Sequence, residues 1–153
     1  MSDDISFEIT IPADNDGYIL LQCGRCGEFF KIPAEDCEND EILNIYCPGC
    51  GLISERYITE DVLELAQAIA ENYAMDTIYD IFKDMEKETK NSFLQFKAGN
   101  KPRHKDENPI RSGIEALNIT EFGCCRKSAK IKPMLKITGC YCPFCGVKEY
   151  EVE

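Results

Sequence analysis

Cys23-x-x-Cys26 is followed, after twenty further residues, by Cys47-x-x-Cys50, and no other feature of the chain restricts its fold as much. Two thiolates two residues apart can face a single point only across a tight turn, where backbone amides also point at the sulfurs. Gly27 and Gly51, one after each pair, supply the backbone freedom that the turn needs on its far side. Two such turns at the ends of paired strands build a tetrahedral four-sulfur centre, which closes a core too small to hold by itself.

The chain has 153 residues and ten cysteines, a density that implies either a disulfide framework or metal ligation. The opening MSDDISFEIT has neither the basic flank nor the apolar run of a secretory signal. A reducing, cytoplasmic setting is therefore expected, where thiols remain available as ligands. No apolar run approaches the roughly 20 residues needed to cross a bilayer. The net charge of −11 is unevenly placed. Residues 1–96 carry 21 acidic against 6 basic side chains, and residues 97–136 carry 4 against 10. Most of the surface would repel nucleic acid, and one segment would not.

The alternation Ile5, Phe7, Ile9, Ile11 predicts a strand over 5–11, which turns through PADNDG into a second strand, YILLQC, delivering Cys23. EFFKI and EILNIY are two more short strands on either side of an acidic loop, and the second delivers Cys47. From Thr59, a plausible N-cap, the period becomes helical through Val62, Ala66, Ile69 and Tyr73. It resumes at Ile78, Phe82 and Met85, with a bend or split expected near Asp76 and Gly99 closing the end. NKPRHKDENP reads as a linker or exposed loop carrying a solvated His104, and IRSGIEALNI as one short helix.

The stretches CGRCG and CPGCG resemble those of the zinc-ribbon superfamily over residues 18–58; the same knuckles occur in rubredoxins, where the ion is iron. The resemblance implies a structural zinc site in a three-stranded ribbon, or, in the rubredoxin-like case, a one-electron carrier. The motif then recurs. YCPFCG laid on YCPGCG pairs Cys142 with Cys47 and Cys145 with Cys50, and CRKSAKI laid on CGEFFKI pairs Cys125 with Cys26. Cys23 then falls opposite Phe122, so one ligand must come from elsewhere: Cys124, Cys140 as a substitute ligand, or Glu121. Cys140, two residues before Cys142 on a strand, can equally be a small packing residue in the place of Ile45. The expected ligand sets are Cys23, Cys26, Cys47, Cys50 and Cys124, Cys125, Cys142, Cys145. Two zinc ions would fill them, iron being the alternative. Cys37 has no partner at ligand spacing and is expected to be a free thiol.

The expected class is α+β: two small zinc-ribbon β modules joined by a long amphipathic helix or helical pair. The segments are 1–58 (hairpin and ribbon), 59–98 (helical), 99–111 (basic linker) and 112–153 (second, degenerate ribbon). One histidine, no nucleophile motif and no phosphate loop argue against an enzyme. The expectation is a non-catalytic accessory or adaptor protein that binds other proteins. The alternatives are nucleic-acid binding through Lys101, Arg103, Lys105, Arg126, Lys127, Lys130 and Lys132, and rubredoxin-like electron transfer. Those seven residues are equally the expected protein-binding surface, or counter-charges to the chain's own acidic half.

Overall fold

A computed structural model of the chain describes residues 5–110, 113 and 116–150. The fold is α+β, and it divides into two units, Thr10–Val62 with Ile110–Glu153, and Met1–Ile9 with Leu63–Pro109.

In the first unit, β1 (Tyr18–Gln22) pairs antiparallel with β2 (Phe29–Pro33), and β3 (Asn118–Glu121) pairs antiparallel with β4 (Ser128–Ile131). The two hairpins join edge to edge through β2 and β4, where Lys31 lies opposite Lys130. One sheet of order β1-β2-β4-β3 therefore contains both cysteine modules. Short helices α1 (Ala34–Cys37) and α3 (Pro133–Thr138) follow β2 and β4. β5 (Cys140–Tyr141) pairs with β6 (Lys148–Glu149), and the matching place in the first module has the single bridge Tyr46 to Ile53.

Alternation explains the two faces of this sheet. Leu21, Phe30, Ile32, Ala129 and Ile131 point to one side and form the core with Phe122, Cys140 and Cys142. Lys31 and Lys130 point to the other side and are still buried, at 4% and 9% exposure. Like charges directly opposite one another destabilise a sheet, and Asp14 offsets them. Its Oδ2 accepts from Lys31 Nζ at 3.0 Å and from Lys130 Nζ at 2.7 Å, while Asp16 also accepts from Lys130 at 2.7 Å. Asp14 Oδ1 meanwhile accepts from the amides of Asp16 and Tyr18, so one carboxylate shapes the turn and neutralises the sheet.

The strand expected over 5–11 does not form; residues 5–11 have no strand pairing, and β1 pairs with β2 instead. Between β1 and β2, Gly27 N donates to Cys23 O and Cys23 N to Glu28 O, which reverses the chain and fixes the register of that pair. Among the described residues the outer edge of β1 takes no strand; residues 5–9 belong instead to the helical unit, where Tyr73 covers Phe7. EILNIY likewise supplies only the bridge at Tyr46. Of the helix expected in IRSGIEALNI, residues 111, 112, 114 and 115 lie outside the described residues, and Asn118 and Ile119 belong to β3.

The helical segment is a single α2, Glu60–Thr89, unbroken at Asp76; it contains no Gly or Pro to stop it. It ends ten residues before Gly99, where Thr89 Oγ1 turns back to Met85 O and also accepts from Phe96 N. Gly99 has φ +75° within a loop. In the second unit Phe7 packs edge-on against Tyr73 at 5.4 Å between centroids, and Phe82 against Phe96 at 5.5 Å. The segment 100–109 is loop, as expected, but it is clasped to the helix. Asn72, 3% exposed, accepts from Lys105 N at 2.8 Å and donates to Lys105 O at 2.9 Å and to Glu107 Oε1 at 3.1 Å. His104 Nε2 lies 2.7 Å from Asp76 Oδ1, and Lys105 pairs with Glu71. Asn72→Ala strands the Lys105 backbone groups, at a cost of about 1–3 kcal/mol. Hydrogen exchange should show faster exchange at Lys105 and its neighbours, with the β1–β4 sheet unchanged.

Candidate metal centres

The first module brings Cys23, Cys26, Cys47 and Cys50 together, and the second Cys124, Cys125, Cys142 and Cys145; within each group one sulfur from every residue lies within 4.8 Å of the others. Cys23 and Cys50 are 3.8 Å apart, Cys26 and Cys47 3.4 Å, and Cys125 and Cys142 3.6 Å. Four thiolates about 2.3 Å from a tetrahedral ion have edges of about 3.8 Å. Both donor sets therefore fit a four-coordinate soft or borderline divalent ion.

Backbone amides are aimed at these sulfurs. Arg25 N donates to Cys23 Sγ at 3.4 Å and Gly49 N to Cys47 Sγ at 3.3 Å. Against the opposing effect of desolvation, the amides of Cys26 and Arg25 hold the Cys23 thiol below its ordinary value. Desolvation pushes Cys142 up to about 12 and also raises Cys47, Cys124 and Cys26. Cys26, Cys47, Cys124 and Cys142 are thus held in the protonated form at neutral pH without metal, and an ion must displace their protons. Loading should release up to about four protons per ion, and apparent affinity should fall as pH falls. An indicator dye in weak buffer checks the first, and competition with a chromophoric chelator at pH 6 and 8 the second.

The modules repeat one another in their hydrogen bonds. Phe122 N donates to Lys127 O as Cys23 N does to Glu28 O, and Arg126 N to Phe122 O as Gly27 N does to Cys23 O. Arg126 even takes the positive φ of Gly27, at +57° against +79°. Cys142 N to Val147 O and Gly146 N to Cys142 O reproduce Cys47 N to Leu52 O and Gly51 N to Cys47 O. The modules also exchange contacts reciprocally. Tyr46 N donates to Pro143 O and Tyr141 N to Pro48 O, while the Tyr141 ring covers Gly51 and the Tyr46 ring covers Gly146 so closely that a methyl group at either glycine would collide with the ring. With Lys31 opposite Lys130, this is the pattern of a pseudo-two-fold axis through the sheet.

Phe122 fills the place of Cys23 and is fully buried. The missing ligand is supplied by Cys124, which sits where the first module has Arg25. Cys140 stays outside the sulfur group and packs in the core; Glu121 is exposed at the end of β3, opposite Ser128. Cys37 is in neither group, and desolvation together with Asp36 and Glu38 pushes its thiol up to about 11.

The basic residues mostly meet the chain's own acids. Lys127 pairs with Asp36 at 3.0 Å, Lys132 with Glu28 at 2.9 Å, Lys130 with Asp14 and Asp16, Lys101 with Asp76 at 3.5 Å, and Lys105 with Glu71. Among the described residues Arg103 and Arg126 make no ion pair. Two elements of the site are not evident from the sequence pattern. Asp14 lies in a stretch with turn chemistry, and only Lys31 and Lys130 on aligned strands signal the need for an acid. Glu149 carries no motif; its carboxylate accepts from Gly123 N at 3.4 Å and Cys124 N at 3.1 Å. Among the described residues no helix is long and apolar enough to cross a membrane. Comparison with protein families, curated proteins and solved structures finds no match for the chain.

Proposed function

We propose that the chain is a zinc-binding accessory protein of the cytoplasm, without catalytic activity, that acts as an adaptor between other proteins in a larger complex. The observation that carries this reading is the pair of four-cysteine groups. Four protein thiolates saturate a tetrahedral ion and leave no position for water or substrate, so the ions stabilise the fold. Zinc suits such a site because it has no redox chemistry and no geometric demand beyond four ligands.

Surface for partners is available on the helical unit. Ile78, Ile81, Phe82 and Met85 recur along one side of α2 and are each at least 40% exposed; runs of this kind mark contact sites. The ion pairs at Lys127, Lys130 and Lys132 favour protein over nucleic acid as the partner, because those charges are already compensated within the chain.

Native mass spectrometry of the protein from its own cells tests both parts. Two zinc ions per chain and a stoichiometric protein partner are expected. Iron that bleaches reversibly on reduction would replace this reading with electron transfer, and co-purifying nucleic acid would replace the adaptor role with nucleic-acid binding.

A further inference from the structure

The pseudo-two-fold repeat allows the two centres to be compared position by position, and they differ at one edge. In the first module the leading ligand, Cys23, is 2% exposed, and Arg25 N donates to its sulfur. The neighbouring Gly24 N donates to the neutral Ser54 Oγ at 3.2 Å. In the second module Phe122 holds the buried position, and the sulfur has moved two residues along to Cys124, which is exposed. The amide that corresponds to Arg25 N is Cys124 N, and it is directed to Glu149 Oε1 instead of to a sulfur. Glu149, on β6, occupies the place of Ser54. A charged carboxylate therefore lies beside a thiolate where the first centre has a neutral hydroxyl.

These differences act in the same direction. An amide that donates to a thiolate withdraws negative charge from the sulfur, whereas an adjacent carboxylate adds to it. Four thiolates around a divalent ion already carry a net charge of about −2, and Glu149 increases the repulsion at that edge. Reaction of cysteine with electrophiles follows thiolate character and access. Cys124 is exposed, as are Cys26 and Cys145, and what sets it apart is the carboxylate held at its own amide.

We propose that the two centres are unequal: the first is a permanent structural centre, while Cys124 is a modification site for soft electrophiles through which the second centre gives up its ion. This rests on the reading of both groups as zinc centres. In the reaction the Cys124 sulfur attacks the electrophilic carbon, an S–C bond forms, and the bond from that carbon to its leaving group breaks. The thiolate becomes a neutral thioether, a poor ligand, so that only Cys125, Cys142 and Cys145 would remain to hold a bound ion against a chelator. Glu149 is a positioning residue; it holds the knuckle amides and sets the charge beside Cys124.

The test uses the full zinc-loaded chain carrying Cys37→Ser, which removes the thiol outside the two centres that is exposed. Iodoacetamide is the electrophile and iodide the leaving group; peptide mapping locates adducts, and a chromophoric chelator counts released zinc. The first adduct is expected on Cys124, and one of the two ions should leave with it at least about tenfold faster than the other. Glu149→Gln keeps an acceptor for the Gly123 and Cys124 amides but removes the charge, so it should slow both Cys124 alkylation and the fast release several-fold, leaving the slow ion unchanged. A first adduct on Cys26 or Cys145, or release of both ions at one rate, overturns the inference while the zinc reading stands. A chain that loads fewer than two ions overturns the zinc reading of the second centre itself.

Discussion

Replacing Cys47 or Cys142 with Ser is expected to unfold the whole sheet-bearing unit, beyond the loss of one ion. Both thiols are fully buried. Each begins a knuckle whose amide and carbonyl are tied within the turn, Cys47 to Leu52 and Gly51, Cys142 to Val147 and Gly146. A structural zinc site contributes about 10–16 kcal/mol of apparent binding free energy, against a total stability of about 5–15 kcal/mol for an ordinary domain. Loss of one ligand therefore removes an amount comparable with the entire margin. Because β2 and β4 pair and Tyr46 and Tyr141 pack reciprocally, disorder in one module withdraws support from the other. Amide resonances of both modules should collapse in either variant. If the 18–33 hairpin keeps its dispersed spectrum in Cys142→Ser, the modules fold independently and the cooperative account fails. Cys37→Ser is the control; outside both sulfur groups and exposed, it should change stability by less than about 0.5 kcal/mol.

The second large effect is expected at Asp14. Asn in its place keeps an oxygen for the Asp16 and Tyr18 amides but removes the charge that Lys31 and Lys130 share. Two buried ammonium groups then face each other across the sheet, with only Asp16 left to Lys130. Breaking a buried ion pair from one side costs about 3–5 kcal/mol, so chemical denaturation at pH 7 should show a loss of that order; a loss below about 1 kcal/mol would show that the lysines are screened by solvent. The pH dependence has a definite sign. Burial alone would raise the Asp14 carboxyl, but donation from Lys130, the Tyr18 amide and Lys31 outweighs it and holds the group well below the usual carboxylate range. The stabilisation is thus complete above the unfolded value of about 3.9 and is lost only as pH falls through the lower folded value. A decline in stability between pH 7 and 5 would accordingly belong to the thiolate centres, whose ligands take up protons as the metal leaves.

The ion pairs also alter what charge reversal can report. Reversal at Arg126, Lys127 and Lys130 together, read from sequence, is a test of partner binding. With Lys130 buried against Asp14 and Asp16 and Lys127 paired with Asp36, it becomes a test of the fold. Reversal at Arg103 and Arg126 alone probes a surface role with less structural damage.

Ligand spacing is a local property, and the sequence determined it: two thiols two residues apart across a glycine-backed turn can meet one ion in few other ways. The pairing of Cys23, Cys26, Cys47 and Cys50, the correspondence of the second set, and the shift from Cys23 to Phe122 are all readable along the chain. The long helix was readable for the same reason, since thirty residues without Gly or Pro carry their own periodicity. Its end was not, because Gly99 is a permissive residue in a loop and the helix stops where Thr89 finds partners in Met85 and Phe96. Alternation over 5–11 shows only that one face prefers to be covered; the cover for Phe7 is Tyr73 and not a strand partner, and among the described residues the outer edge of β1 takes no strand. Tertiary structure alone decided that the two modules share one sheet, that Asp14 is the counter-charge inside it, that Cys140 is core and not ligand, and that Glu149 stands beside Cys124. Each of these joins residues far apart in the chain, and such contacts are selected by the packing of the folded core, which no local pattern encodes.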